Sequence, residues 1–188
     1  KQAGLSEKGI EPFVIRLGEL EIEGDITGFL KGLDCLVLNI PPGLRNNPGA
    51  DFTARIRLLD AHLEKAGIPH LVFISSTSVY GDAQGKVTEK DPPVPDSETG
   101  RQLLQAESLI LSGTRRTVQI LRPGGLLGPG RHPVYSLSGR VLSSGGNSPV
   151  NLVRLGDLLN ILEMLVAGRP ESGIYNAVFP EHPTKEEF

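Results

Sequence analysis

The sequence predicts an α/β protein built on a mostly parallel sheet. Two observations carry this. Short apolar strands alternate with amphipathic helical segments along the chain, and the strands are apolar on both faces, as buried parallel strands are. A third narrows where function sits: segments rich in Pro, Gly and Ser follow the strands, and ligands of such sheets lie beyond the strands' carboxyl ends.

The elements follow in order. "PFVIRL" (12–17) reads as a short strand and "GDITGFLKGL" as a short helix or turn. "DCLVLNI" (34–40) reads as a strand buried on both sides. Phe52, Ile56, Leu59 and Leu63 recur at three- and four-residue steps, which predicts a helix over 51–66 stopped by Gly67. "HLVFIS" is a strand, 97–112 a helix and "TVQILRP" a strand. A further helix is read as capped by Asp157 and ended by Gly168 and Pro170, and "GIYNAV" closes as a strand.

A chain of 188 residues suits one domain with a full core. The net charge of −3 gives no basis for broad attraction to nucleic acid or anionic membrane. One cysteine, Cys35, excludes an internal disulfide and a cysteine-rich zinc site. No apolar run approaches the ~20 residues of a membrane span, and "KQAGLSEKGIEP" resembles neither a signal nor a transit peptide. A cytoplasmic, reducing setting is the expectation.

A dinucleotide-binding fold opens with a strand, G-x-G-x-x-G and a helix, and that motif is nowhere in the sequence. The late "GPGRHP" runs into loop residues, so it starts no phosphate-cradling helix. Two readings stand: the fold never bound a dinucleotide, or the sequence begins inside the domain. "SEKGIEPFVIRL", which looks like the run into a third strand, fits the second, and "HPTKEEF" looks like the opening of a helix.

The order "DCLVLNIPPG … HLVFISSTSVYGD … RQLLQAESLI … VQILRPGGLLGPGRHP … VNLVRLGDLLNIL … GIYNAV" resembles the NAD-dependent epimerase/dehydratase family of extended short-chain dehydrogenase/reductases. "SSTSVYGDAQG", "LGPGRHP" and "VNLVRLGD" resemble more closely still its atypical, YeeZ-like branch. The resemblance implies a Rossmann-like, doubly wound parallel sheet lacking its first β-α-β segment. It further implies an incomplete dinucleotide-binding core over 1–125, with substrate-side loops, a returning helix and a strand over 126–188. It implies NAD or NADP as cofactor, a small-molecule substrate, and a possible homodimer through helices 51–66 and 97–112.

Residue by residue, the resemblance puts Ser76, four before Tyr80, at the serine that bonds the reacting oxygen beside the nicotinamide. The alternative is a loop hydroxyl that caps backbone groups. Fitting "TGRQLLQAE" to the family's Y-G-x-S-K-x-x-A-E, with Glu107 fixing the register, puts Thr99 at the catalytic tyrosine and Leu103 at the lysine. That pair works because a nearby ammonium lowers a phenol from its ordinary pKa of about 10 toward working pH. Thr99 has no such acidity and Leu103 cannot hold a ribose. No Tyr-x-x-x-Lys exists elsewhere: Gln84, Gly139 and Phe179 follow the three tyrosines at the fourth place.

A displaced acid is sought at His132, which can titrate near neutral pH, and at Tyr135; the alternative for His132 is an exposed loop histidine after a turn. Ile40, Pro41, Pro42, Ser75, Ser76, Pro123, Gly124 and Gly125 are the cofactor-side candidates, the glycines allowing close backbone approach. Tyr80, Arg131, Tyr135, Asn151 and Arg154 are the substrate-side candidates, with Tyr80 also read as a packing residue under the Ser76 loop rather than an acid. Lys86 and Lys90 fall in a loop read as a solvated flap. The residues leave three functions open: an atypical redox or epimerase-like enzyme on a nucleotide-linked or small substrate, a non-catalytic cofactor-binding or sensing protein, and, if Lys1 is the true start, a cofactor-free interaction module.

Overall fold

The structure, a computed structural model, describes residues 2–113, 115–130, 132, 146–168 and 171–187. A short helix, α1 (Gln2–Ser6), precedes an antiparallel hairpin of β1 (Arg16–Leu17) and β2 (Ile22–Glu23). There follow α2 (Ile26–Leu30), β3 (Leu36–Leu38), α3 (Phe52–Ala66), β4 (His70–Ile74), α4 (Glu98–Leu111) and β5 (Thr117–Pro123). Two short paired strands, β6 (Gly125–Leu127) and β7 (Leu152–Arg154), lead into α5 (Leu155–Gly168) and then β8 (Gly173–Ala177). β3, β4, β5 and β8 lie side by side in that order, all parallel. The fold is Rossmann-like.

Side chains alternate across a strand, so the sheet sorts them into two cores. Leu36, Leu38, Leu71, Phe73, Val118 and Ile120 join Phe52, Ile56, Leu59, Leu63, Leu103 and Ile110 of α3 and α4. Val72 and Leu121, on the opposite face, meet Leu158 and Leu165 of α5 and Val153 of β7. α3 is as well started and stopped as its sequence suggests. Asp51 caps it by accepting the Ala54 N–H at 2.8 Å, and Gly67 takes the left-handed conformation at φ 67°. No helix among the described residues is long and apolar enough to cross a membrane.

Four expectations need correction. Of the 12–17 strand only Arg16 and Leu17 pair, and they pair antiparallel, outside the main sheet. The cause is a tight turn in which the Gly18 N–H reaches the Glu21 carbonyl at 2.9 Å; a Cβ on Gly18 would sit 2.7 Å from that oxygen. The 34–40 strand shortens to β3, and Val37 stays 40% exposed because none of the described helices covers that part of its face. Asp157 is no N-cap: β7 runs directly into α5, so the carboxylate falls in the first turn, where the helix dipole favours it. Pro170, expected beyond that helix, lies outside the described residues. The flap around Lys86 and Lys90 is laced rather than merely solvated. Gln84 Oε1 accepts from Gly81 and Val94, and Glu89 Oε1 accepts the Asn176 N–H of β8 at 2.7 Å. Near the end of the chain, Thr184 and Glu187 exchange reciprocal bonds across a turn, the Thr184 N–H reaching Glu187 Oε2 at 2.9 Å and the Glu187 N–H reaching Thr184 Oγ1 at 3.2 Å.

Candidate functional site

Parallel strands deliver their carboxyl ends to one edge, so β3, β4 and β5 bring Ile40, Pro41, Pro42, Ser75, Ser76, Pro123, Gly124 and Gly125 to the same side of the sheet. The chain leaving β4 stays bound to β5: the Ser75 N–H donates to the Leu121 carbonyl at 2.7 Å, and Thr77 Oγ1 donates to the Pro123 carbonyl at 3.4 Å. Ser76 caps the tight turn Thr77–Val79, its Oγ accepting the Ser78 N–H at 3.1 Å. Capping uses a lone pair and leaves the hydroxyl hydrogen to give, so the two readings of Ser76 are compatible. Beside it the Ser75 hydroxyl is buried with no hydrogen-bond partner among the described residues.

α4 docks on this turn through Gly100, where a Cβ would lie 2.2 Å from the Ser78 carbonyl oxygen. That contact places Thr99, half-buried in the first turn of α4, next to the Ser76 segment. Leu103 is only 4% exposed and belongs to the core. Its neighbour Gln102 bridges the helices: its Oε1 accepts the Phe52 N–H at 2.8 Å and its Nε2 donates to the Ala50 carbonyl at 3.2 Å. The amides opening α3 are thus held by Asp51, Gln102 and Glu19, which accepts the Asp51 N–H at 2.9 Å.

Gly124 and Gly125 allow close approach of a kind the sequence does not show. A Cβ on Gly124 would meet the Asn151 carbonyl oxygen at 2.7 Å, and one on Gly125 would meet Leu152 Cδ2 at 2.9 Å. The glycines admit the β7 strand to the edge, with the Gly125 N–H donating to Asn151 at 2.8 Å. Arg154, at the far end of β7, flanks a cleft of about 270 Å³ floored by Leu127, Leu152 and Phe179, with Glu181 also on its wall.

Beneath the edge lies a charged network that sequence reasoning missed. Arg122 is 1% exposed on β5; its Nε and Nη2 donate to the two oxygens of Glu107 on α4 at 3.0 and 2.6 Å. Nη1 donates to the Tyr80 hydroxyl at 2.7 Å, and the guanidinium carbon lies 5.0 Å from the Tyr80 ring centre. Burial alone would ease the proton off Arg122, but the bonds and charge of Glu107, with help from Tyr80, raise its pKa and keep it charged. Tyr80, a substrate-side candidate also read as packing under the loop, packs against the core. Its hydroxyl proton is shared between Asn176 Oδ1 at 3.2 Å and the Thr88 carbonyl at 3.3 Å. A signal existed: an arginine inside the apolar run "VQILRP" requires a buried partner, and Glu107 stands on an otherwise apolar helix stripe.

His132 is exposed, and Asn151 and Arg154 are exposed. Arg131 and Tyr135 lie outside the described residues. Among the described residues no cluster of His, Cys, Asp or Glu could hold a metal ion. For a nicotinamide dinucleotide the edge fits at one end: Ser75 and Ser76 offer hydroxyls, and Pro41 and Pro42 offer an apolar wall without amide donors.

Comparisons with known proteins point one way. A family model described as the NAD dependent epimerase/dehydratase family matches residues 49–163. Protein YeeZ of Escherichia coli K12 is 37% identical over 183 residues, 96% of this chain and 66% of YeeZ, so the chain spans just under two thirds of that relative. The uncharacterized UDP-glucose epimerase YtcB of Bacillus subtilis is 36% identical over 97 residues, 47% of the chain and 30% of YtcB. Among solved structures, MoeE5 in complex with UDP-glucose and NAD superposes with a TM-score of 0.75 at 22% identity, covering 98% of this chain and 73% of MoeE5. UDP-N-acetylglucosamine 4-epimerase from Bacillus cereus gives 0.77 at 18% identity, over 95% and 66% of the two chains. At those identities the structural likeness speaks for fold.

Proposed function

The chain belongs to the NAD dependent epimerase/dehydratase family, and we propose that it is an atypical member that binds NAD or NADP along the carboxyl edge of β3, β4 and β5. It works in the cytoplasm on a nucleotide-linked sugar or a small carbonyl or hydroxyl compound. The observation that carries this reading is the Ser75–Ser76 pair, one hydroxyl buried without a partner among the described residues and the other capping a turn with its hydrogen still to give. The bound nicotinamide would supply or accept hydride. Ser76 Oγ–H then polarises the reacting oxygen by donating to it, while Pro41 and Pro42 keep water from the cofactor side. Thr99 bonds and positions but moves no proton near neutral pH. The proton must come from elsewhere, and His132 is the titratable candidate on the loop following β6. Arg131, Tyr135, Asn151 and Arg154 complete the substrate side.

One observation favours a second reading, a non-catalytic cofactor-binding or sensing protein. Leu103 sits in the core where the family's lysine would reach the ribose, so this helix has been given over to packing. Calorimetric titration of NADH and NADPH into the protein as its gene encodes it separates the possibilities. Micromolar affinity, roughly 8 kcal/mol, supports the site; no heat from folded protein removes it. Given binding, turnover of a nucleotide-sugar and carbonyl panel that His132→Ala abolishes marks the enzyme, and binding without turnover marks the sensor. A second copy would pair through α3 and α4, whose outer groove exposes parts of Leu104 and Leu109 beside Arg57 and Gln105. Sedimentation equilibrium that returns a monomer at micromolar concentration removes that pairing.

A further inference from the structure

We propose that Tyr80 and Arg122 are positioning residues that fix the Ser76 turn against α4 and β5, and that Tyr80 is thereby committed as a link and is not the displaced acid. The inference rests on the reading that Ser76 works at a cofactor edge. Arg122 reaches two elements at once, with its fork on Glu107 of α4 and its remaining nitrogen on Tyr80, the residue that ends the turn opened by Ser76. Tyr80 passes the connection to Asn176 on β8 and to the Thr88 carbonyl of the laced loop. One guanidinium therefore ties together the pieces that carry Ser76, Thr99 and the residues after Pro123.

Two physical points favour positioning over either bare stability or acid chemistry. A buried ion pair adds little stability compared with apolar residues of equal volume, and what it can add is a fixed geometry. Arg122 and Glu107 have side chains 2% and 1% exposed, so the charge is enclosed and fully engaged. An acid must release its proton toward a ligand. The Tyr80 proton lies between two protein oxygens, and the cation beside it is already neutralised by the two-point contact with Glu107. The apolar side chain of Leu103 leaves the turn without the lysine its helix would otherwise present, so its placement depends on this network and on the close fit at Gly100.

Tyr80→Phe removes the link and leaves the Arg122–Glu107 contact in place. Amide hydrogen exchange is measured for Ser78, Val79 and Tyr80, whose N–H groups bond Ser76 Oγ and the Ser76 and Thr77 carbonyls. The core amides of Phe73 and Ile120 serve as the global reference. Losing a hydrogen bond to a charged group should speed exchange in the turn by roughly tenfold beyond any change in the reference. Turn and core amides moving in step would overturn the inference, since the phenol would then be stabilising the fold as a whole. NADH affinity gives the second reading: Tyr80→Phe should weaken it by about fivefold or more, whereas Arg116→Met, which breaks the ion pair to Asp60 of α3 just ahead of β5, at the opposite end of the sheet, should leave it unchanged. Equal weakening by both variants also counts against the proposal. If the parent protein binds no NADH, the cofactor reading fails, and the exchange comparison still decides the positioning role.

Discussion

The two faces of the sheet are finished differently. Under α3 and α4 the core is broad, and ion pairs on buried arginines cross-link it: Arg122 with buried Glu107 near the carboxyl edge, and Arg116 with the partly exposed Asp60 and Glu64 near the amino edge. On the other face α5 is the helix that covers the strands among the described residues. Leu159 and Met164 on that helix remain 55% and 71% exposed, and Val37 on β3 looks out past it. The polar pair buried there, His70 Nε2 with Gln119 Oε1 at 2.9 Å, leaves His70 Nδ1 and Gln119 Nε2 without partners among the described residues. The difference separates two uses of buried polarity. On the first face an ion pair joins an element of the candidate site to its support. On the second a polar pair joins two strands that the ladder already holds, and nothing in the site depends on it.

The comparison is broken most forcefully by removing half of the ion pair. Glu107→Leu strands the Arg122 charge and should cost about 3–5 kcal/mol, whereas Glu107→Leu with Arg122→Met should restore most of it. Urea unfolding measures both. If the double variant is as unstable as the single one, the pair contributes stability in its own right and the positioning account of this face is wrong. Next in size is Gly100→Ala, which drives a methyl into the Ser78 carbonyl and the Pro95 ring, 2.2 and 2.9 Å from the ideal Cβ. Opening that contact should cost about 1–3 kcal/mol, seen as a lower thermal midpoint; an unchanged midpoint would show that α4 does not bear on the turn. On the second face, replacing both His70 and Gln119 by leucine should leave stability within about 1 kcal/mol of the parent or raise it, because both partners and both orphans go together. A loss as large as that of Glu107→Leu would erase the distinction between the faces.

How much of this was legible depends on how local the cause is. α3 was readable because its stripe, its Asp51 cap and its Gly67 stop all lie within the helix or beside it. The strands of the main sheet and the Ser76 turn were readable for the same reason. The hairpin at β1 was not, since a single close contact at Gly18 reverses the chain against an apolar run that reads as a straight strand. Asp157 was misplaced because whether a loop separates β7 from α5 decides which residue caps, and no residue type announces that junction. Arg122 and Glu107 stand fifteen positions apart on different elements, so their pairing belongs to the fold. Glu107 served the sequence argument only as a register mark. Gln102 is similar: only the packing of α3 on α4 shows the bridge it builds.

The smallest predicted effect tests the other ion cluster of the first face, and its sign follows from which force wins at Asp60. Burial raises that carboxyl above its ordinary value of 3.8; the charge and hydrogen bond of Arg116 pull it back, and the charge of Glu64 pushes it up again, leaving it raised. A raised carboxyl means the folded state takes up the proton more readily than the unfolded one. Its stabilising contribution is therefore present below the ordinary carboxylate pKa and is lost as pH rises through the higher folded value. Asp60→Asn should remove that slope, and Arg116→Met should steepen it and move it to higher pH by deleting the two effects that oppose burial. Urea unfolding across the acid range, read as the difference between parent and Asp60→Asn, checks it. A difference that instead favours the parent increasingly as pH rises would mean that Arg116 outweighs burial. The two ion clusters would then be alike in rewarding charge, and the cluster at the amino edge could no longer be set apart from the Arg122 network by its electrostatics.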